Sequence, residues 1–127
     1  MRIDESVYVF IFLKNVLRIL KERRMTKTML AKKSGISIAF ISEITTGKAN
    51  PSLHVMEAIA IALETPLSLL LESTNLDQST LGVLTRKKLP DNSPPGYERV
   101  YVTLPQHRAF LVKKWGEEAK KKLQDKI

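Results

Sequence analysis

The stretch TKTMLAKKSGISIAFISEITTGKANPSL, Thr26 to Leu53, decides how the chain folds. Thr26 is a natural N-cap, and a short helix from Lys27 to Ser34 turns Leu30 and Ala31 inward. Gly35 suits the left-handed residue that ends a helix. Ser37 caps the next helix, which runs to about Thr45 and stops at Gly47. Ile41 and Ile44, three apart, share an inward face with Ile36, while Ile38, Ala39, Ser42 and Glu43 point outward. Phe40 lies one turn before Ile44 and is read as core. Ile38 is read as an outward residue, its alternative being a return into the core.

The periodicity continues on both sides. Residues 5 to 24 read as a long helix in which Leu13, Val16, Leu17 and Leu20 form a buried stripe. Asp4 or Ser6 is its expected cap. Pro51 and Ser52 introduce a fourth helix, Leu53 to Leu63, with Val55, Met56, Ile59, Ala60 and Leu63 at core spacing. Pro66 is expected at the first position of a short fifth helix that buries Leu67 and Leu70. Two short helices joined by a glycine turn and packed on a longer one form the helix-turn-helix plan, whose second helix enters the DNA major groove.

From Ser73 the composition changes. Residues 73–96 are polar and rich in proline, and read as a linker with one helical turn near Leu81 to Leu84. In ERVYVTLP, Val100, Val102 and Leu104 alternate with Arg99, Tyr101 and Thr103, the period of a strand with one apolar face. Pro105 opens a last helix containing Ala109, Val112, Trp115, Ala119 and Leu123. The expected fold is therefore mainly α. Residues 1–72 form a five-helix DNA-binding domain, 73–96 a linker, and 97–127 a strand–helix dimerisation segment. One strand and one helix make no core alone. Pairing with a second copy would satisfy Val100, Tyr101, Val102 and Leu104 and bury Phe110, Val112 and Trp115.

The bulk properties narrow the function. A formal charge of +8 over 127 residues favours an anionic partner. Residues 1–72 carry +3 and 73–127 carry +5, so the expected reader is the less basic half and needs two copies on one duplex. The chain has no cysteine, and its two histidines, His54 and His107, are far apart. Thiolate chemistry is excluded, and neither a metal site nor a cofactor site is expected. No carboxylate cluster or paired nucleophile and base suggests an enzyme. The apolar run Val7 to Leu13 is too short to span a bilayer, and Asp4 and Glu5 do not suit a signal peptide. A soluble cytoplasmic protein is expected.

Thr26 to Leu53 resembles the lambda-repressor-like, or Cro/C1-type, helix-turn-helix family. Leu30-Ala31, Gly35, Ile36, Ser37, Ile41, Ile44, Gly47, Pro51, Ser52 and Leu53 carry the likeness, which extends over roughly residues 11 to 72. Such families place Gln where this chain has Lys27, which holds phosphate as a point charge without the amide's directed bonding. The resemblance implies base contacts from Ile38, Ala39 and Glu43, with Ser42 on the same face. Apolar side chains there can press on thymine methyls, and Glu43 can accept from cytosine N4. Lys27, Thr28, Ser37, Thr46, Lys48 and Asn50 are the phosphate candidates. Lys32 and Lys33 read as a solvated face.

The tail LPDNSPPGYERVYVTLPQHRAFLVKKWGEEAKKK looks like the C-terminal dimerisation segment of KorA- and TrbA-type repressors of IncP-type plasmids. ESVYVFIFLKNVLRILKERRMTK near the start is similar to TrbA-like proteins. The resemblance implies a homodimeric repressor of conjugative-transfer genes on double-stranded DNA. It also implies contact between the tail and a second plasmid-encoded repressor. The alternative is an antitoxin-like DNA binder whose tail wraps a partner protein.

Overall fold

A computed structural model of the chain describes residues 6–84 and 91–125. Asp4, one of the two expected caps, lies outside them. All regular elements of the described residues are helices. They are α1 (Val7–Glu22), α2 (Lys27–Ser34), α3 (Ile38–Thr45), α4 (Leu53–Ala62), α5 (Leu67–Leu70), α6 (Gln78–Leu84) and α7 (Gln106–Asp125). The chain divides into two compact units, the first ending at residue 91 and the second beginning at residue 92.

Each long helix of the first unit starts where a short polar side chain takes over an orphan backbone N–H. Ser6 accepts from the amide of Val9, and Ser52 accepts from that of Val55. α1 ends at Arg23, and Arg24 takes a left-handed φ of 53° that swings the chain toward α2. The Arg23 guanidinium donates to the Leu63 carbonyl and the Thr65 hydroxyl, tying the end of α1 to the end of α4. Pro66 sits one position earlier than expected. Its ψ of 137° makes it the residue before α5, not the first within it.

The main core joins Phe12, Val16, Ile19 and Leu20 of α1 to Leu30, Ile41, Ile44, Ile59, Leu63 and Leu70. Of the stripe expected in α1, Val16 and Leu20 belong to this core and Leu13 is buried, but Leu17 is only half-buried, and Phe12 and Ile19, which the expected stripe left out, are core residues. Asn15 is buried within the same stretch of α1, at 0% exposure. Its side-chain nitrogen donates to the carbonyls of Leu70 and Glu72, both at 2.9 Å, and its Oδ1 accepts from Arg18 at 3.3 Å. A buried amide needs such partners, and here it fixes the chain as it leaves α5.

Residues 73–84 differ from a plain linker. Phe10, Ile11 and Leu76 form a second buried cluster, joined by Val7, Leu81 and Val83. α6 is thus a full helix where one turn near Leu81 was expected. Asp77 starts it, accepting from the Thr80 amide at 2.8 Å and the Ser79 hydroxyl at 3.0 Å. Hydrogen bonds from the Thr80 side chain, the Thr80 amide and the Ser79 hydroxyl hold the Asp77 carboxyl at about 2, below its ordinary 3.8. The Lys14 charge adds a smaller push downward, and desolvation opposes them.

The second unit holds residues 98–105 without regular secondary structure and then α7. The strand expected within ERVYVTLP, residues 98–105, is not formed: no strand occurs among the described residues. The alternation of Val100, Val102 and Leu104 determines which side is apolar, but a ladder also needs a second extended segment beside it. α7 buries no residue.

Candidate nucleic-acid interface

The candidate interface is built on α2, its turn and α3. Thr26 accepts from the Met29 amide and starts α2. Gly35, at φ 74°, ends it with its own N–H on the Ala31 carbonyl at 3.0 Å. An added Cβ at Gly35 would meet no neighbour, but that φ would strain any L side chain. Ser37 then accepts from the Phe40 amide at 3.2 Å and launches α3. Ile41 and Ile44 close onto the main core, and Ile36 and Phe40 pack against its edge.

This anchoring determines what α3 offers to solvent. Ile38 remains 50% exposed, Ala39 and Glu43 are exposed, and Ser42 is half-buried. Outward residues on a helix fixed from behind make a surface of defined shape, apolar at its start and acidic one turn on. The apolar start matches thymine methyls, and the carboxylate matches a cytosine amino group.

The phosphate candidates occupy different settings. Thr28, Ser37, Thr46, Lys48 and Asn50 are exposed, and Lys27 is half-buried. The Ser37 oxygen caps α3, which leaves its O–H as a donor. The Thr46 hydroxyl is 2.8 Å from the Ser42 carbonyl and donates back into the helix. It must give up that bond to reach a phosphate. After α3, Gly47 at φ 78° lets the amides of Lys48 and Ala49 both reach the Glu43 carbonyl, at 2.9 and 3.2 Å. Beside Lys27 and Thr28, α2 also exposes Met29, a residue outside the expected set. Its only signal is an apolar side chain one position before the buried Leu30.

In the second unit, Val100, Tyr101, Val102, Leu104, Val112 and Trp115 are all exposed large hydrophobics. Phe110 is exposed at 67%. Helix geometry separates two of them: Phe110 lies about 200° around α7 from Val112, because each residue turns about 100°. The half-buried Ala109, Ala119 and Leu123 follow the face of Val112. A single flat contact along that face therefore leaves Phe110 outside it.

Among the described residues, no helix is long and apolar enough to cross a membrane. No group of His, Asp and Glu among them could hold a metal ion.

Comparison with known proteins agrees with the geometry of the first unit. Residues 16–70 match the helix-turn-helix family model. Two TrfB transcriptional repressor proteins of Escherichia coli are 54% identical over 33 residues and 51% over 35. These matches cover 26% and 28% of this chain and 33% and 35% of the relatives. An immunity repressor protein of Bacillus phage phi105 is 42% identical over 43 residues, 34% of this chain and 30% of that one. The chain thus spans about a third of the length of the curated relatives it matches. No solved structure matches it. The capped α2, the left-handed Gly35 and the core-anchored α3 coincide with the matched segment, and over residues 16–70 the chain is similar to the helix-turn-helix family.

Proposed function

We propose that the protein is a transcriptional repressor that binds a palindromic operator as a homodimer and controls plasmid conjugative-transfer genes. The observation that carries this reading is α3, held from behind by Ile41 and Ile44 and displaying Ile38, Ala39, Ser42 and Glu43. Lys27, Thr28, Ser37, Lys48 and Asn50, with Thr46 once its internal bond is released, set the helix on the phosphates. The names of the matched proteins, transcriptional and immunity repressors, support the same reading. The exposed side chains of Val100 to Leu104, with Val112 and Trp115 on α7, are covered by a second copy. Two recognition helices then meet half-sites about one DNA turn, roughly 34–36 Å, apart.

The position of Phe110 favours a second contact. It lies away from the Val112 face, with Lys113 and Lys114 close by in sequence, and offers a surface to a second plasmid-encoded repressor. In the antitoxin-like alternative, the same tail is occupied by a toxin. Co-purification of a small partner that masks Phe110 would favour that alternative.

Selection of bound duplexes from a random pool, at physiological salt, tests the main reading. The expected product is a palindrome whose half-sites contain a thymine-bearing step beside a C·G pair. Enrichment of no sequence would remove the operator-reading role.

A further inference from the structure

We infer that the groove between α1 and the chain entering α6 binds a short polyphosphate chain, free or as part of a nucleoside triphosphate. The site lies within the first unit and is separate from the DNA-reading surface proposed above. Lys14, Arg18 and Lys21 line one wall of the groove, and Asn75, Asp77 and Thr80 line the other. Its volume is about 360 Å³, within the range of ligand clefts. The three cations stand at i, i+4 and i+7, one stripe about 10 Å long on a single face of α1. Lys14 and Arg18 are half-buried, and Lys21 is exposed. A partly walled groove in which one sign of charge prevails concentrates counter-ions of the other sign.

The side chains themselves separate this stripe from an ordinary solvated face. The Nε–H of Arg18 is buried and has no hydrogen-bond partner, although the same guanidinium reaches Glu22 at 3.1 Å and Asn15 at 3.3 Å. A buried N–H of this kind calls for an acceptor. Lys21 has no carboxylate partner among the described residues, and Lys14 lies over the Phe10 ring, 5.6 Å from its centroid. Helix geometry sets the stripe apart from the DNA surface. It lies about 180° around α1 from Phe12, Val16, Ile19 and Leu20, which join Ile41 and Ile44 of α3 in the main core. α1 therefore stands between the groove and the recognition helix. Several cations in a row favour several anionic groups in a row over a single carboxylate. Asp77 accepts from the Thr80 amide and the Ser79 hydroxyl and remains an anion. The phosphates accordingly gather toward Arg18 and Lys21, and a ligand O–H or N–H meets Asp77.

Titration calorimetry of the full chain with tripolyphosphate and with ATP, without divalent metal and at constant ionic strength, tests the site. Both are expected to bind, and to slow amide exchange at Thr80 and Leu81 while leaving α3 unchanged. Lys14→Gln combined with Lys21→Gln should weaken both by about tenfold or more. Lys21→Gln alone, at an exposed position that needs no repacking around Phe10, should weaken them by about threefold. The charge-matched pair Lys32→Gln, Lys33→Gln on α2 should bind as the unaltered protein does. Tighter binding of ATP than of tripolyphosphate identifies a nucleotide site, and equal or weaker binding identifies a site for the phosphate chain alone. Equal losses in the α1 pair and the α2 pair would mean general charge attraction and would overturn the inference. So would the absence of binding, or displacement of tripolyphosphate by duplex DNA of random sequence, which would put it on the reading surface.

Discussion

Glu43 and Asn15 are both polar residues in helices, and their burial separates their roles. Glu43 is exposed on α3, so its carboxylate is free for a base edge. Glu43→Ala is expected to relax preference at one position per half-site, losing about 1–3 kcal/mol of discrimination. Binding measured across single-base operator variants checks this, and an unaltered preference would remove Glu43 as a reader. Asn15 is fully buried and bridges two carbonyls more than fifty residues away. Asn15→Ala leaves both acceptors buried without a donor and should destabilise the fold by about 2–4 kcal/mol. Urea unfolding reads that loss directly, and a change below about 1 kcal/mol would mean that water replaces the amide. Glu43 was legible in the sequence because its face follows from Ile41 and Ile44 nearby. The role of Asn15 was not, because its partners are set by where α5 ends in space.

The same contrast holds for elements. α2, α3 and α4 were legible because their signals are local: Thr26, Ser37 and Ser52 cap them, and Gly35 and Gly47 end or follow them with positive φ. α6 was seen only as a turn. It is short, opens on three polar residues and contains Gly82, and what makes it a helix in this fold is its docking on Phe10 and Ile11. The expected strand failed for the opposite reason: its alternation was clear, but no partner strand pairs with it among the described residues. The start of α6 also carries a pH dependence. The folded Asp77 carboxyl lies at about 2, against 3.8 for the ordinary group. A depressed carboxyl stabilises the folded form fully above the unfolded value, and that contribution is lost as pH falls through the folded one. α6 should therefore loosen between about pH 4 and pH 2, seen as faster amide exchange at Thr80 and Leu81. Asp77→Asn should flatten this dependence, and an equally steep loss in that variant would assign the acid sensitivity elsewhere.

For the whole molecule, the distribution of charge and apolar surface divides the work. The helix-turn-helix half carries the smaller net charge, +3 against +5, so one copy gains limited affinity from phosphates. The tail has most of the exposed large apolar residues, with Trp115 at 62% and no buried residue in α7, although Leu53 and Ile61 of the first unit are as exposed. Large apolar side chains exposed together on a helix without a core of its own mark a candidate interaction surface, which the proposed pairing would cover. Truncation separates the two halves, and the place of the cut matters. Ending the chain at Ser73 removes Leu76 and uncovers Phe10 and Ile11, so lost binding there would mix damage with loss of pairing. Ending it at Asp91 keeps the first unit whole. That longer fragment should be a monomer by sedimentation equilibrium and unfold with the first unit's cooperativity. It should bind a single half-site as well as the full chain does. On a two-half-site operator it should bind about 100-fold more weakly, the avidity expected from linking two readers. A dimeric fragment with full operator affinity would place the pairing surface in the first unit, and the exposed residues of α7 would then serve another partner.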